Sequence, residues 1–451
     1  MVLPRVINFR GDLFATTLTF GLQAFIRLLS SLILTRVLLP EAYGTITILV
    51  SILFVIGNIL DTNVALFIVR DKNAEQPRYL NTAWTMRFSR SLLSAAVLFI
   101  CAPLIATKVY NLPDLTLPLR VFSLWFVIDG FESMGFALAI RRKQARLQMY
   151  SELAASVVST TFSIAYCYRY HTFWGMAFAM LLNRLVMTVL SHQFYREHRP
   201  RLFIDLAAAR EILVYSKFTV PSSLLTLGLN QFDKVVFLRL FDLRLLGIYS
   251  LAGNIAGSIE ALISKISQAV LYPRCAHNFR ENPDTATKRY YTENTKLFVG
   301  ILSIPAAVAG TAHLIIALLY DSRYSEAGSV LQALAIRAVL LSLASPAEDL
   351  LISAGQFHVI LVGNVVRASW IVVGSLLGYH FLGFSGFIYG LSLSGLPPLA
   401  YYLWLQKSKG MLIVKYELYK VAFVLGVGLT SYTCSALFLS LFPGFRIKLR
   451  Y

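Results

Sequence analysis

Ten of the charged or amide side chains inside stretches apolar enough to cross a bilayer are candidates for a site. Six of them, Arg27, Arg184, Asn230, Lys234, Arg337 and Arg367, form a set rich in cations, suited to holding an anion. Guanidinium groups meet phosphate oxygens through paired hydrogen bonds, and lysine adds a point charge. The other four, Asp61, Asp129, Glu132 and Asp233, are candidate proton or Na⁺ sites. A charge at membrane depth costs about 2.5–3.5 kcal/mol even on the lenient insertion scale, so such groups face a bundle interior or a water-filled cavity. Spacing supports shared faces. Asn230, Asp233 and Lys234 stand at i, i+3 and i+4, and Asp129 and Glu132 at i and i+3. Taken singly, each has a plainer role as a snorkelling side chain or a structural ion pair. For Asp233 and Lys234, mutual neutralisation competes with ligand contact. Glu152, Arg120, Glu348 and Asp349 sit near span ends and take the plainer role.

The chemistry of an enzyme is missing. There is no HExxH, GxSxG or Walker A motif and no Cys/His metal spacing, and the seven histidines are scattered. No loop is long enough for a catalytic domain. The expectation is a protein that is not an enzyme and has no cofactor and no metal. Energy for transport would come from an ion gradient or from the substrate's own gradient.

The elements that must position these side chains are membrane helices. The chain has 451 residues, 57% hydrophobic and 14% charged, where a soluble domain carries about 25% charged. Apolar runs recur along its whole length, which predicts an all-α polytopic membrane protein, and no alternating ten-residue pattern points to a β-barrel. Candidate spans are 13–35, 44–68, 83–105, 119–140, 150–168, 173–195, 218–240, 246–271, 295–319, 328–352, 358–380, 384–406 and 418–442. The basic start of the chain leads into a segment too long for a signal peptide, with Arg27 inside it, so it reads as a retained first helix. The four cysteines read as packing residues.

The net charge of +18 has a topological explanation. With the N-terminus in the cytoplasm, Arg70, Lys72, Arg78, Arg87 and Arg90, then Arg141 to Arg146, and each later basic cluster to Lys420, fall inside. No nucleic acid is needed as a partner. Thirteen spans leave the basic tail, with Arg446, Lys448 and Arg450, outside, so either a span is miscounted or a final helix is lacking.

The halves look related. Arg36 to Gly44 follows the first span, and Arg239 to Gly247 follows the seventh, 203 positions later. Each has an Arg and, eight positions on, a Gly opening the next helix. In the same register Arg27 matches Asn230. This predicts two pseudo-symmetric six-helix lobes around a central cavity: residues 1–195 and 218–406, a cytoplasmic linker at 196–217 with an amphipathic segment, and an extra helix and basic tail at 407–451. Gly374-x3-Gly378 and Gly386-x3-Gly390 mark close helix packing.

Three stretches carry a resemblance. Leu34-Thr35-Arg36-Val37-Leu38-Leu39-Pro40-Glu41-Ala42-Tyr43-Gly44 is one. Phe232-Asp233-Lys234 with Leu246-Gly247-Ile248-Tyr249-Ser250-Leu251-Ala252 is another. Tyr320 to Ala327 with Leu331-Gln332-Ala333-Leu334 is the third. They resemble bacterial polysaccharide and O-antigen flippases, in the multidrug/oligosaccharidyl-lipid/polysaccharide exporter superfamily, over about residues 10–410. The resemblance implies alternating access and a cationic cavity accepting a polyprenyl-pyrophosphate-linked oligosaccharide at the bacterial inner membrane. Its partners would be membrane lipids and the glycosyltransferases and polymerase of a surface-polysaccharide pathway. The alternatives are a peptidoglycan-precursor flippase, a multidrug exporter of the same superfamily, and a non-transporting subunit of an assembly complex. Bases outnumbering acids on the polar faces disfavour the exporter of cationic drugs.

Overall fold

The computed structural model describes residues 9–61, 64–70, 73–142, 146–194 and 200–441, and every regular element among them is helical. In order these are α1 (Phe9–Val37), α2 (Pro40–Ile59), α3 (Val64–Arg70), α4 (Pro77–Leu104), α5 (Thr116–Gly130), α6 (Gly135–Arg141), α7 (Arg146–Tyr170) and α8 (Trp174–Phe194). There follow α9 (Leu206–Leu240), α10 (Leu243–Ile266), α11 (Tyr272–Glu281), α12 (Pro283–Leu319), α13 (Ala327–Ser353), α14 (His358–Ser392), α15 (Leu396–Ser408) and α16 (Val414–Leu441). Lys72, Lys143 and the basic tail lie outside the described residues.

Eight helical stretches among the described residues are long and apolar enough to cross a bilayer. The bent pair α5–α6, broken by 54°, makes a ninth. The 51-residue stretch His358–Ser408 is two crossings, since at 1.5 Å per residue a span needs only about 20 residues. Gly383, at φ 58°, breaks it. Three further helices, α1, α7 and α9, have 29, 25 and 35 residues and so the length of spans. With them the expected thirteen are accounted for.

Local chemistry sets the boundaries. Pro40, Pro77 and Pro283 open α2, α4 and α12, where the missing N–H costs nothing. The Asp242 carboxylate caps α10 by accepting from the Leu245 N–H at 2.8 Å, and the Asn282 side chain caps α12. One boundary differs from the sequence expectation. The 210–217 stretch, expected as an amphipathic part of a linker, forms the early turns of α9, which runs unbroken to Leu240.

The chain packs as two units, Met1–Leu38 with Thr45–Arg239, and Leu39–Gly44 with Leu240–Tyr451. In the first, Phe67, Ile68, Tyr79, Trp84, Met134, Leu138 and Ile212 form a buried cluster, and the Tyr79 hydroxyl donates to Glu211 at 2.9 Å. Next to this cluster Glu75 binds Arg141 at 3.3 Å and Arg142 at 3.0 Å. The Arg142 hydrogen bond, reinforced by the Arg141 charge, holds the Glu75 carboxyl below the usual carboxylate range. A lowered folded value means that the stabilisation is complete above the ordinary glutamate range and disappears as pH falls through the folded value. Glu75 is 45% exposed, so the contribution is small and salt-sensitive. The expected result is that Glu75→Gln lowers the melting temperature slightly at neutral pH in low salt. Its difference from wild type should shrink as pH falls below the ordinary glutamate range and vanish below the lowered folded value, and should also fade in high salt; a difference constant across pH would contradict the ion-pair account.

In the second unit α13 is central. Of its apolar window 67% is buried, against 6% for α16, whose face is left for lipid. The additional helix α16 docks on α12. The Ser435 hydroxyl donates to the Gly310 carbonyl at 3.0 Å. Lys420, 4% exposed, pairs with Glu417 at 2.7 Å and lies 4.6 Å from the Phe298 ring centre. The two glycines of the repeated motif meet in this unit. A side chain on Gly44 would lie 2.2 Å from the Leu243 carbonyl oxygen, and one on Gly247 would lie 1.8 Å from that of Pro40. Each contact is the other shifted by 203 positions, so the repeat seen in the sequence is a reciprocal backbone crossing in three dimensions.

Candidate functional site: two charge clusters within the apolar helices

The first unit gathers six charges. α4 supplies Arg87 and Arg90, α5 supplies Asp129, the break before α6 supplies Glu132, α8 supplies Arg184, and Asp61 follows α2. Arg87 binds Asp129 at 3.2 Å and Glu132 at 3.3 Å. Arg184 pairs with the same two carboxylates. Arg90 pairs with Asp61 and reaches Asp129 at 3.6 Å. The Ser91 hydroxyl donates to Asp129 at 3.2 Å. The Arg184 guanidinium also lies over the Trp125 ring, 5.2 Å from its centre.

The helix break makes this possible. α8 clamps it: the Ser133 N–H donates to the Ser191 hydroxyl at 3.0 Å, the Ser133 hydroxyl donates to the Ser191 carbonyl at 3.0 Å, and a His192 ring nitrogen meets the Phe131 carbonyl at 2.8 Å. These bonds satisfy backbone groups freed where the helix stops, as a membrane interior requires. Asp129 and Glu132 are 5% and 7% exposed. Three guanidiniums face three carboxylates, so the cluster is charge-balanced. Protonating an acid there would leave the guanidiniums in excess, which suits a structural network better than a proton carrier.

The second unit holds a different arrangement. Arg337 on α13 binds Glu260 on α10 at 3.0 Å. Arg367 on α14 lies close enough to feel Arg337, Glu260, Tyr402 and Glu348. It has no carboxylate within 4.0 Å among the described residues, and its buried Nε has no hydrogen-bond partner. Glu348 faces the Tyr402 hydroxyl, and Asp349 accepts a hydrogen bond from Ser267. Neither acid is ion-paired with a described residue.

Of the ten sequence candidates, Arg184, Asp61, Asp129 and Glu132 come together in the first cluster, and Arg337 and Arg367 in the second. Arg27 is exposed on α1, one turn after Gln23, whose amide reaches Glu152 at 3.4 Å. Lys234 is half-buried on α9. The Asp233 carboxylate accepts from the Lys234 backbone N–H at 2.9 Å, and the ammonium of Lys234 makes no ion pair with a described residue. Asn230 lies on α9 with its side chain outside the described ones. Sequence reasoning missed Arg87 and Arg90 by counting them among loop charges, although Arg87, Arg90, Ser91 and Ser94 form an i, i+3, i+4, i+7 polar stripe. It also missed Glu260 and set aside Glu348 and Asp349. Among the described residues no group of three or more His, Cys, Asp or Glu could hold a metal ion.

Buried charge clusters among many long apolar helices define a polytopic membrane protein, and comparison with known proteins gives its class. A family model described as "Polysaccharide biosynthesis protein" matches residues 33–329, and the chain belongs to that family. It is 23% identical over 386 residues to the lipopolysaccharide biosynthesis protein WzxC of Escherichia coli strain K12, covering 84% of this chain and 76% of that one. It is 24% identical over 371 residues to the succinoglycan biosynthesis transport protein ExoT of Rhizobium meliloti strain 1021, covering 80% and 72%. Its fold resembles the inward closed structure of the lipid II flippase MurJ, with a TM-score of 0.72, 12% identity, and 95% and 98% of the two chains covered.

Proposed function

We propose that this protein is a flippase that carries a polyprenyl-pyrophosphate-linked oligosaccharide across a bacterial inner membrane, by alternating access, for surface-polysaccharide synthesis. The N-terminus is cytoplasmic in this reading, the lobes divide near the 196–217 segment, and the glycosyltransferases and polymerase of the pathway are the partners. The observation that supports it is a set of cations without an acid partner. Arg27, Lys234 and Arg367 have no carboxylate partner among the described residues, whereas Asp61, Asp129, Glu132, Glu260 and Glu417 are all bound to bases. An unpaired cation in apolar surroundings is costly, and a diphosphate ligand would offset that cost. The names of the curated relatives, one in lipopolysaccharide and one in succinoglycan biosynthesis, support the substrate class.

The test is a deletion strain complemented with wild type, Arg27→Ala or Lys234→Ala at matched membrane levels. The expected result is lost surface polymer and lipid-linked intermediate held in the inner leaflet for both variants. Normal polymer with both would remove the cation assignment.

A further inference from the structure

Before α9, residues 201–205 belong to no helix, yet they are held in place. Three α4 side chains accept their backbone N–H groups: Asn81 from Arg201 at 3.1 Å, Thr85 from Phe203 at 3.1 Å and Thr82 from Asp205 at 2.9 Å. Donation from every second residue marks extended backbone with one edge turned to α4. The opposite edge carries the N–H and C=O groups of Leu202 and Ile204, which bond to no described residue. Apolar side chains surround that edge. Leu202 is 71% and Leu206 82% exposed, and Phe203, Ile204, Leu213 and Val214 are exposed as well.

Acyl chains do not reach this patch. With its continuation to Val109, α4 has 33 residues, about 50 Å of helix against about 30 Å of hydrocarbon. Its apolar run follows Arg90, and Asn81, Thr82 and Thr85 stand five to nine positions before that residue. At 1.5 Å per residue they lie about 8–14 Å past the run, where the headgroup layer is only about 5–8 Å deep. Apolar side chains held in water beside an unpaired backbone edge are a template for another chain. The charges say what kind of chain. Asp205 accepts from the N–H groups of Ala207 and Ala208, Glu211 accepts from Tyr79, and Glu75 is held by Arg141 and Arg142. Arg78, Arg201 and Arg210 are exposed and pair with no described acid.

We propose that residues 202–204 are the docking edge for an extended segment of a cytoplasmic protein. The segment adds as a strand, lays apolar side chains against Leu202, Ile204 and Leu206, and carries acidic flanks that meet Arg78, Arg201 and Arg210. This goes beyond the transport reading and takes from it only the side of the membrane.

The test uses the full chain in phosphatidylcholine nanodiscs and two synthetic peptides of alternating valine and threonine, one flanked by aspartates and one by lysines. Fluorescence anisotropy of the labelled peptide reads binding. In low salt the aspartate-flanked peptide is expected to bind about tenfold more tightly than the other, with the gap closing in high salt. Ile204→Pro deletes one N–H of the free edge and leaves the three bonds to α4 in place; proline also keeps the preceding residue extended. It should weaken the peptide by about tenfold with an unchanged melting temperature, while Ile204→Val binds like wild type. Where Ile204→Pro does not fold, methylated peptide nitrogens answer the same question on the wild-type chain: methylation in one alternate register should abolish binding, and in the other leave it intact. The proposal is overturned by a lysine-flanked peptide that binds as well, by no binding of either peptide up to about 1 mM, by two equivalent methylation registers, or by a folded Ile204→Pro protein that binds normally. Slower hydrogen exchange of the Leu202 and Ile204 amides in peptide-free nanodiscs than in detergent also overturns it, because lipid headgroups would then be the occupant.

Discussion

Replacing Asp129 by alanine is expected to destabilise the protein by about 3–5 kcal/mol, the cost of breaking a buried ion pair from one side. Asp129 is the hub of the first cluster. It contacts Arg87 and Arg184, reaches Arg90 at 3.6 Å, and accepts from Ser91. Without it, Arg87 and Arg184 share Glu132 alone, and the cluster carries a net positive charge in apolar surroundings. Asp129 also stands in the last turn of α5, directly before the break that α8 clamps. Thermal unfolding in detergent and yield of folded protein are the measurements. Adding Arg184→Gln to Asp129→Ala restores charge balance and should recover part of the loss, a non-additive result expected of residues in one network. An Asp129→Ala protein within about 1 kcal/mol of wild type would show that water or lipid headgroups reach the cluster and that its charges are not truly buried.

Gly247→Ala is expected to be nearly as severe, by about 3 kcal/mol, the upper part of the range for overpacking. Its new methyl would stand 1.8 Å from the Pro40 carbonyl oxygen, an atom of the backbone that cannot turn aside. The start of α10 would have to move away from Pro40–Gly44. Gly44→Ala meets the Leu243 carbonyl oxygen at 2.2 Å in the same way. Because both substitutions part the same crossing, the double variant should cost clearly less than the two singles added together. Full additivity in thermal unfolding would mean that the two contacts yield independently.

Much of the fold was legible from the residues. Length and hydropathy placed the spans, but the Arg-to-Gly repeat put two helix starts at Gly44 and Gly247, whereas α2 and α10 begin at Pro40 and Leu243. What stayed hidden was partner choice. Arg87 and Arg90 lie near the basic end of a span, where counting cations for orientation assigns them to a loop. Only the packing of α4 on α5 turns them onto Asp129 and Glu132. Glu260 was missed because its role depends on Arg337 of another helix. Glu348 and Asp349 were set aside for their nearness to a span end. Depth along a helix says nothing of which hydroxyls face a carboxyl, and that is what distinguishes them. The α9 boundary failed for a local reason: residues 210–217 carry both the charge of a surface segment and the propensity of a helix.

The Gly383 kink has a bearing on how the chain assembles. On either side of it the two small-residue motifs close against each other, with Gly378 against the Gly386 carbonyl and Gly390 against that of Gly374, at Cβ approaches of 2.1 and 2.2 Å. The partners stand only eight and sixteen positions apart in sequence, so the entropy lost on joining them is small. A hairpin of two crossings with so short a closure needs nothing from the remainder of the molecule to find its register. It can zip as it leaves the translocation machinery, and present α13, the most buried helix of its unit, with a finished wall to pack on.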